Sequence, residues 1–144
     1  MGGWRLLWHF ESDDASDALR AKRRYLDVLR KDAGVSLDKY AANLVYSELV
    51  SNVLKHARDG ILIRLERKGE DILLKVADRG PGFDFVQMRA IHPLSEGGRG
   101  LFLAAQYARE LRVVAEGAGS TVTATLRQEI DAGSRVTRWV EKGS

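Results

Sequence analysis

The chain has 144 residues, 44% hydrophobic and 30% charged, a balance that supports one folded domain with a single core and excludes a disordered chain. A net charge of +3 is too mild to mark a nucleic-acid binder, and the absence of cysteine excludes disulfides, a thiol nucleophile and a cysteine metal site. That absence fits a reducing cytoplasm, the expected location. The apolar run Trp4–Phe10 is broken by Arg5 and His9 and is too short for a signal peptide. No stretch is long enough to span a bilayer, and Leu6 stands where the lipidation pattern begun by Met1-Gly2 needs Ser or Thr. Neither a membrane nor nucleic acid is therefore an expected direct partner.

In chain order, Trp4–Phe10 reads as a strand. Ser12 or Asp13 is placed to cap a helix running to about Asp32 and closed by Gly34. Along it, Asp13, Asp14 and Asp17 precede Arg20, Lys22, Arg23, Arg24, Arg30 and Lys31, acid first and base last, as a helix dipole favours. That basic stretch is either a solvated helix face or a partner-binding surface. Ser36 is placed to cap a second helix from Leu37 to about Ala57. Ile61–Arg67 alternates, Gly69-Glu70-Asp71 turns, and Ile72–Ala77 returns, which is a hairpin pattern. Residues 83–98 read as irregular. A helix is expected from about Arg99 to Glu110, then strands at Arg112–Ala115 and Thr121–Leu126 around the Gly117–Gly119 turn. The order β-α-α-β-β-α-β-β predicts the α+β class: a two-layer sandwich whose mixed, mainly antiparallel sheet carries about three helices on one face. Residues 127–144 form a polar tail with Val136, Trp139 and Val140. It covers a sheet edge, contacts a partner or is disordered, and the sequence does not choose among these.

Three strings carry the chemistry. In ELVSNVLKHA (48–57), Glu48, Asn52 and His56 recur every four residues, on nearly the same side of a helix. The apolar stripe Leu37, Ala41, Leu44, Val45 continues into Glu48 and Asn52, where a core helix would place Leu or Ile. Burying a carboxylate and an amide without partners costs several kcal/mol, so something polar must meet them. A neighbouring loop would suffice. A ligand is the alternative: Asn52 offers a neutral oxygen to Mg2+, Glu48 is placed to take a proton from an attacking hydroxyl or water, and Lys55 to reach a phosphate. His56 reads as a helix-end hydrogen bonder.

In DRGPG (78–82), Asp78 ends an apolar strand and Gly80 and Gly82 flank Pro81 in a tight turn that lets a ligand approach the backbone. An aspartate there can accept from an exocyclic amine such as adenine's, although Asp and Gly are also ordinary after strands. In GGRGL (97–101), glycines open an apolar helix, a natural anion site to which Arg99 adds a positive fork. It is neither a P-loop nor a dinucleotide-binding fingerprint.

The ordered set resembles the GHKL, or Bergerat-fold, ATP-binding superfamily of gyrase, histidine kinases and MutL. ELVSNVLKHA resembles its N box, DRGPG its first glycine box and GGRGL its second, while Gly119-Ser120-Thr121 resembles the turn near adenine. Within that superfamily the chain is most similar to bacterial anti-sigma serine-protein kinases of the RsbW and SpoIIAB type. It shares the Lys55-His56-Ala57 ending of the N box and a short segment between Gly82 and Gly98. The resemblance implies a single ATP-binding kinase domain over residues 1–126 and a tail over 127–144. It implies ATP and Mg2+ as cofactors, Glu48 as general base, and Asn52 as the metal-holding residue. Lys55, Asp78, Gly80, Gly82, Gly98, Arg99, Gly100, Leu101 and Thr121 are then the remaining ATP-binding positions. Its implied partners are a STAS-domain anti-sigma-factor antagonist that receives the phosphate, a sigma factor, and a second copy in a homodimer. Two other functions remain open: a nucleotide-gated binding regulator without significant kinase activity, and a detached histidine-kinase catalytic domain. The latter needs a phosphoacceptor histidine in a dimerising helix, a setting that neither His9 nor His92 has.

Overall fold

A computed structural model describes residues 3–56, 60–78, 99–116, 119–131 and 138–142. Its elements are β1 (Trp4–Ser12), α1 (Asp17–Asp32), α2 (Lys39–His56), β2 (Ile61–Lys68), β3 (Asp71–Asp78), α3 (Arg99–Tyr107), β4 (Ala108–Glu116), β5 (Gly119–Leu126) and β6 (Arg138–Lys142). A single 3-10 turn, Glu129–Asp131, follows β5.

The sheet order is β1-β2-β3-β5-β4-β6, antiparallel throughout except for the parallel pair β4–β6. Strand alternation separates the two faces. Ile61, Ile63 and Leu65 of β2, Ile72, Leu74 and Val76 of β3, and Val122, Ala124 and Leu126 of β5 are buried against the helices. Each large aliphatic in these rows contributes about 1.5–3 kcal/mol by leaving water. The opposite face carries no helix among the described residues and bears Arg64, Lys75 and Thr123. Helix α2 lies over β3, β5 and β4, α1 packs on β1 and α2, and α3 packs on α2 and β4. The α+β sandwich with one helical layer is thus the fold.

Three local readings need correction. Helix α1 begins at Asp17, because Ser12 and Asp14 spend their side chains on the turn before it. The Asp14 amide donates to Ser12 Oγ, the Ser16 amide donates to Asp14 Oδ1, and Ser12 Oγ donates to Asp17 Oδ2. Such local bonds compete with helix initiation. Helix α2 is capped by Asp38, whose Oδ1 accepts from the Ala41 amide at 3.0 Å, and not by Ser36, whose carbonyl accepts from the Glu129 amide. Helix α3 ends at Tyr107, three residues short of Glu110. The chain is drawn straight into β4 by Arg109, which bonds Asp71 and Asp131. Of the alternatives open for the tail, covering a sheet edge is the one taken by residues 138–142, which form a sixth strand on β4.

Candidate nucleotide site

The buried row of α2 runs Ala41, Val45, Leu49, Asn52 and Val53, all at most 4% exposed. Asn52 is the polar member of that row. Glu48 sits at its margin, half-buried, so the expected stripe carries the amide inward and the carboxylate along its edge. The Asn52 Nδ2 atom has no hydrogen-bond partner among the described residues. The two ends of a carboxamide exchange by a flip, so either its nitrogen or its oxygen stands unmet there. Leaving such a group unmet costs about 1–3 kcal/mol. Lys55, one turn further on, is exposed at the end of the helix, which closes at His56.

Asp78 ends β3 opposite Ile61. It continues the inward row Ile72, Leu74, Val76 and is only 7% exposed. A carboxylate in this row lies on the side of the sheet where α2 packs against β3. Two buried polar side chains, Asn52 from the helix and Asp78 from the strand, therefore enter the layer between α2 and the sheet. Neither position is explained by the apolar core around it.

The other expected positions divide. Arg99 and Gly100 form the first turn of α3, so the backbone of this string does open a helix. The Leu101 side chain is 2% exposed and belongs to the hydrophobic core, so its backbone is what it can offer a ligand. Thr121 stands apart from Asn52 and Asp78. It pairs with Ala77, the neighbour of Asp78, and successive strand residues face opposite sides, so Thr121 falls on the helix-free face. The alternation of Thr121 and Thr123 with Val122, Ala124 and Leu126 is the signal for this. Gly80, Gly82 and Gly98 lie outside the described residues, as does the segment between them.

Among the described residues no three His, Asp or Glu side chains cluster for a metal. Nor is any helix long and apolar enough to cross a membrane.

Residues 12–126 match the histidine kinase-like ATPase domain family. A curated relative, the signal transduction histidine-protein kinase AfsQ2 of Streptomyces coelicolor, is 33% identical over 113 residues. That match covers 66% of this chain and 21% of AfsQ2, so the chain spans about a fifth of the relative's length. Among solved structures, that of the RsbU and RsbW domains of Rv1364c from Mycobacterium tuberculosis aligns over 92% of this chain and 34% of that one. Its TM-score is 0.59 at 22% identity. The Acinetobacter baumannii histidine kinase AdeS aligns over 90% of this chain and 69% of its own, with a TM-score of 0.51 at 16% identity. At these identities the two structures establish the fold.

Proposed function

The chain belongs to the histidine kinase-like ATPase domain family, and from that premise we propose that it is an ATP-dependent serine/threonine-protein kinase acting as an anti-sigma factor. Membership makes it an ATP-binding, kinase-like or ATPase domain. The observation that carries the reading further is Asn52: a buried amide with one end unmet, on the helix that also holds Glu48. A carboxamide oxygen is a hard ligand of the kind Mg2+ prefers. With no acidic cluster among the described residues, Asn52 would hold the metal together with the nucleotide's own phosphate oxygens. When bound, Mg2+ supplies charge neutralisation at the phosphates.

The protein's own groups then divide the work. Asp78 accepts a hydrogen bond from the adenine amine at the end of β3. The first turn of α3, with Arg99, and Lys55 at the end of α2 present positive charge to the phosphates. Glu48 takes the proton of the acceptor hydroxyl as its oxygen bonds to the γ-phosphorus. The bond from that phosphorus to the β–γ bridging oxygen breaks, and ADP leaves with its electron pair. Transfer of this kind rests mainly on positioning and charge stabilisation. The acceptor in this reading is a serine or threonine of a STAS-domain antagonist, and phosphorylation would switch the kinase between antagonist and sigma factor. The likeness to the RsbW-containing structure supports this choice.

A second reading, transfer to histidine, is favoured by the identity with AfsQ2. Radiolabelled γ-phosphate transfer to a candidate STAS protein separates the two. Acid-stable label, lost in Glu48→Ala and Asn52→Asp, supports the serine kinase. Acid-labile label supports the histidine reading, and undiminished transfer in Glu48→Ala removes the general base. Binding of Mg-ATP with no transfer to any acceptor would leave a nucleotide-gated regulator.

A further inference from the structure

A groove of about 580 Å³ lies at the far end of α2 from Asn52, between the second half of α1, the α1–α2 connection and the 3-10 turn. Its walls include Leu26, Val35 and Leu37, and its rim carries Arg23 and Arg30 from α1 and Lys39 from α2. Two acids also line it, Asp27 and Glu129. Asp27 is already shared by Arg30 and Lys31, which hold its carboxylate below the usual range chiefly through Arg30's hydrogen bond. At the start of α1, Asp17 similarly pairs with Arg20. Arg23 and Lys39 line the groove and enter none of the ion pairs among the described residues. The N-terminal end of α2 is already met by the Asp38 carboxylate, so the positive charge of the rim rests on the side chains alone.

Position along the helix sharpens the pattern. Leu19, Arg23, Leu26 and Arg30 recur at intervals of four, three and four, which places them on one face of α1. Leu19 is 52% exposed and Leu26 is partly exposed, an apolar–basic alternation that a merely solvated face does not need. From this we propose that the groove is a docking site for an acidic amphipathic helix of a partner protein, its leucine-like side chains on Leu26 and Val35 and its carboxylates on Arg23 and Lys39. Helix-in-groove recognition uses such spaced apolar anchors, and complementary charge sets their orientation. A nucleic acid would not use the apolar floor, and a net charge of +3 gives it little purchase. The proposal stands independently of the chemistry assigned to the nucleotide site.

The test uses the full chain and a fluorescein-labelled synthetic helix with leucines at every third and fourth position and glutamates elsewhere. Fluorescence anisotropy is expected to rise and saturate, and Arg23→Glu with Lys39→Glu is expected to weaken binding by about tenfold or more. Both side chains are exposed, so circular dichroism should show an unchanged fold and ATP affinity should stay as in the parent. Amide shifts on adding the peptide should centre on Leu26, Val35 and Lys39. Three results would overturn the proposal: no saturable binding, equal binding of a scrambled peptide of the same composition, or tighter binding of heparin or phosphatidylserine vesicles than of the peptide. Indifference of peptide binding to the charge-reversed pair would do the same.

Discussion

Tyr25 and Tyr46 exchange hydrogen bonds between their helices: Tyr25 Oη donates to the Ala42 carbonyl of α2, and Tyr46 Oη donates to the Ala18 carbonyl of α1. Their rings stack at 4.5 Å between centroids, and both side chains are fully buried. The pair fixes how α1 lies on α2, the helix that carries Glu48 and Asn52. Each Tyr→Phe substitution keeps the stack and removes one bond, so urea denaturation should show a loss of about 1 kcal/mol apiece. Tyr46→Ala also leaves a cavity and should cost about 3–5 kcal/mol. If both Phe variants match the parent midpoint, the exchanged bonds do not hold the helices together.

The same two hydroxyls make an alkaline prediction. Burial raises both above the ordinary tyrosine range, and for Tyr25 the neighbouring Tyr46 adds to the effect. A raised folded-state value means that the stability is fully present below the unfolded value of about 10 and is lost as pH rises beyond it. Denaturation midpoints should therefore fall above about pH 10, and less steeply in the double Phe variant. Parallel pH profiles for the two proteins would contradict the assignment.

At the opposite end of the sheet, Arg109 ties the β2–β3 turn to the segment after β5. Nη1 donates to Asp71 Oδ1 at 2.8 Å, while Nε and Nη2 both reach Asp131 Oδ2 at 3.0 and 2.6 Å. Asp131 also accepts from the Gln128 amide. Its partial burial alone would raise the carboxyl, but the bonds from Arg109 and Gln128 outweigh burial and hold it below its ordinary value. A lowered folded-state value gives stability that is present above the unfolded value of about 3.9 and is lost as pH falls through the folded one. Because Arg109 is about a third exposed, solvent screens the ion pairs, and Arg109→Ala should cost only about 1 kcal/mol at neutral pH. The difference between parent and variant should shrink below about pH 4, as thermal melts across the acid range would reveal.

Gly34 closes α1 with a φ of +75°, the left-handed region. A Cβ there would also collide with Arg67 Nη1, and that guanidinium is tethered to the Ala33 and Gly69 carbonyls. Gly34→Ala should thus destabilise by about 1–2 kcal/mol from backbone strain alone. The collision with Arg67 adds to this, and Arg67→Ala in the same chain should recover that added part. A double-mutant cycle by chemical denaturation reads the coupling, and strict additivity would place the whole effect in the backbone.

For the nucleotide site, Asp78→Asn keeps shape and burial while replacing a charged acceptor. Calorimetry should show ATP binding weakened about tenfold, the size of one charge-assisted hydrogen bond. GTP, with a carbonyl where adenine has its amine, should lose no affinity. Equal ATP affinity in parent and variant would take the adenine contact away from Asp78.

Much of the fold was written in short-range pattern. The hairpin β2–β3, the amphipathic stretch of α2 and the glycine closing α1 each follow from periodicity or backbone freedom within a few residues. The interruption of the α2 stripe at Asn52 was visible for the same reason, since a polar residue on a buried row stands out against its neighbours. What escaped depended on partners distant in sequence. The end of α3 depends on Arg109 reaching Asp71 and Asp131, and the failure of Ser36 to cap α2 depends on the chain near Glu129. Strand β6 is another example: its five residues have little pattern of their own and are ordered by the edge that β4 offers. Thr121 shows the same contrast: the motif likeness groups it with the nucleotide positions, while its pairing with Ala77 sets it on the other face of the sheet.

The positions of β1 and β6 bear on how the domain could be joined to others. The first and last strands occupy the two opposite edges of a six-stranded sheet. With strands about 4.8 Å apart, five intervals separate them by about 24 Å. A module attached before Trp4 and another attached after Lys142 would start from opposite edges of the sheet, each adjoining a different outer strand. Such a layout lets one end be remodelled by a partner while the backbone ladder at the other stays intact.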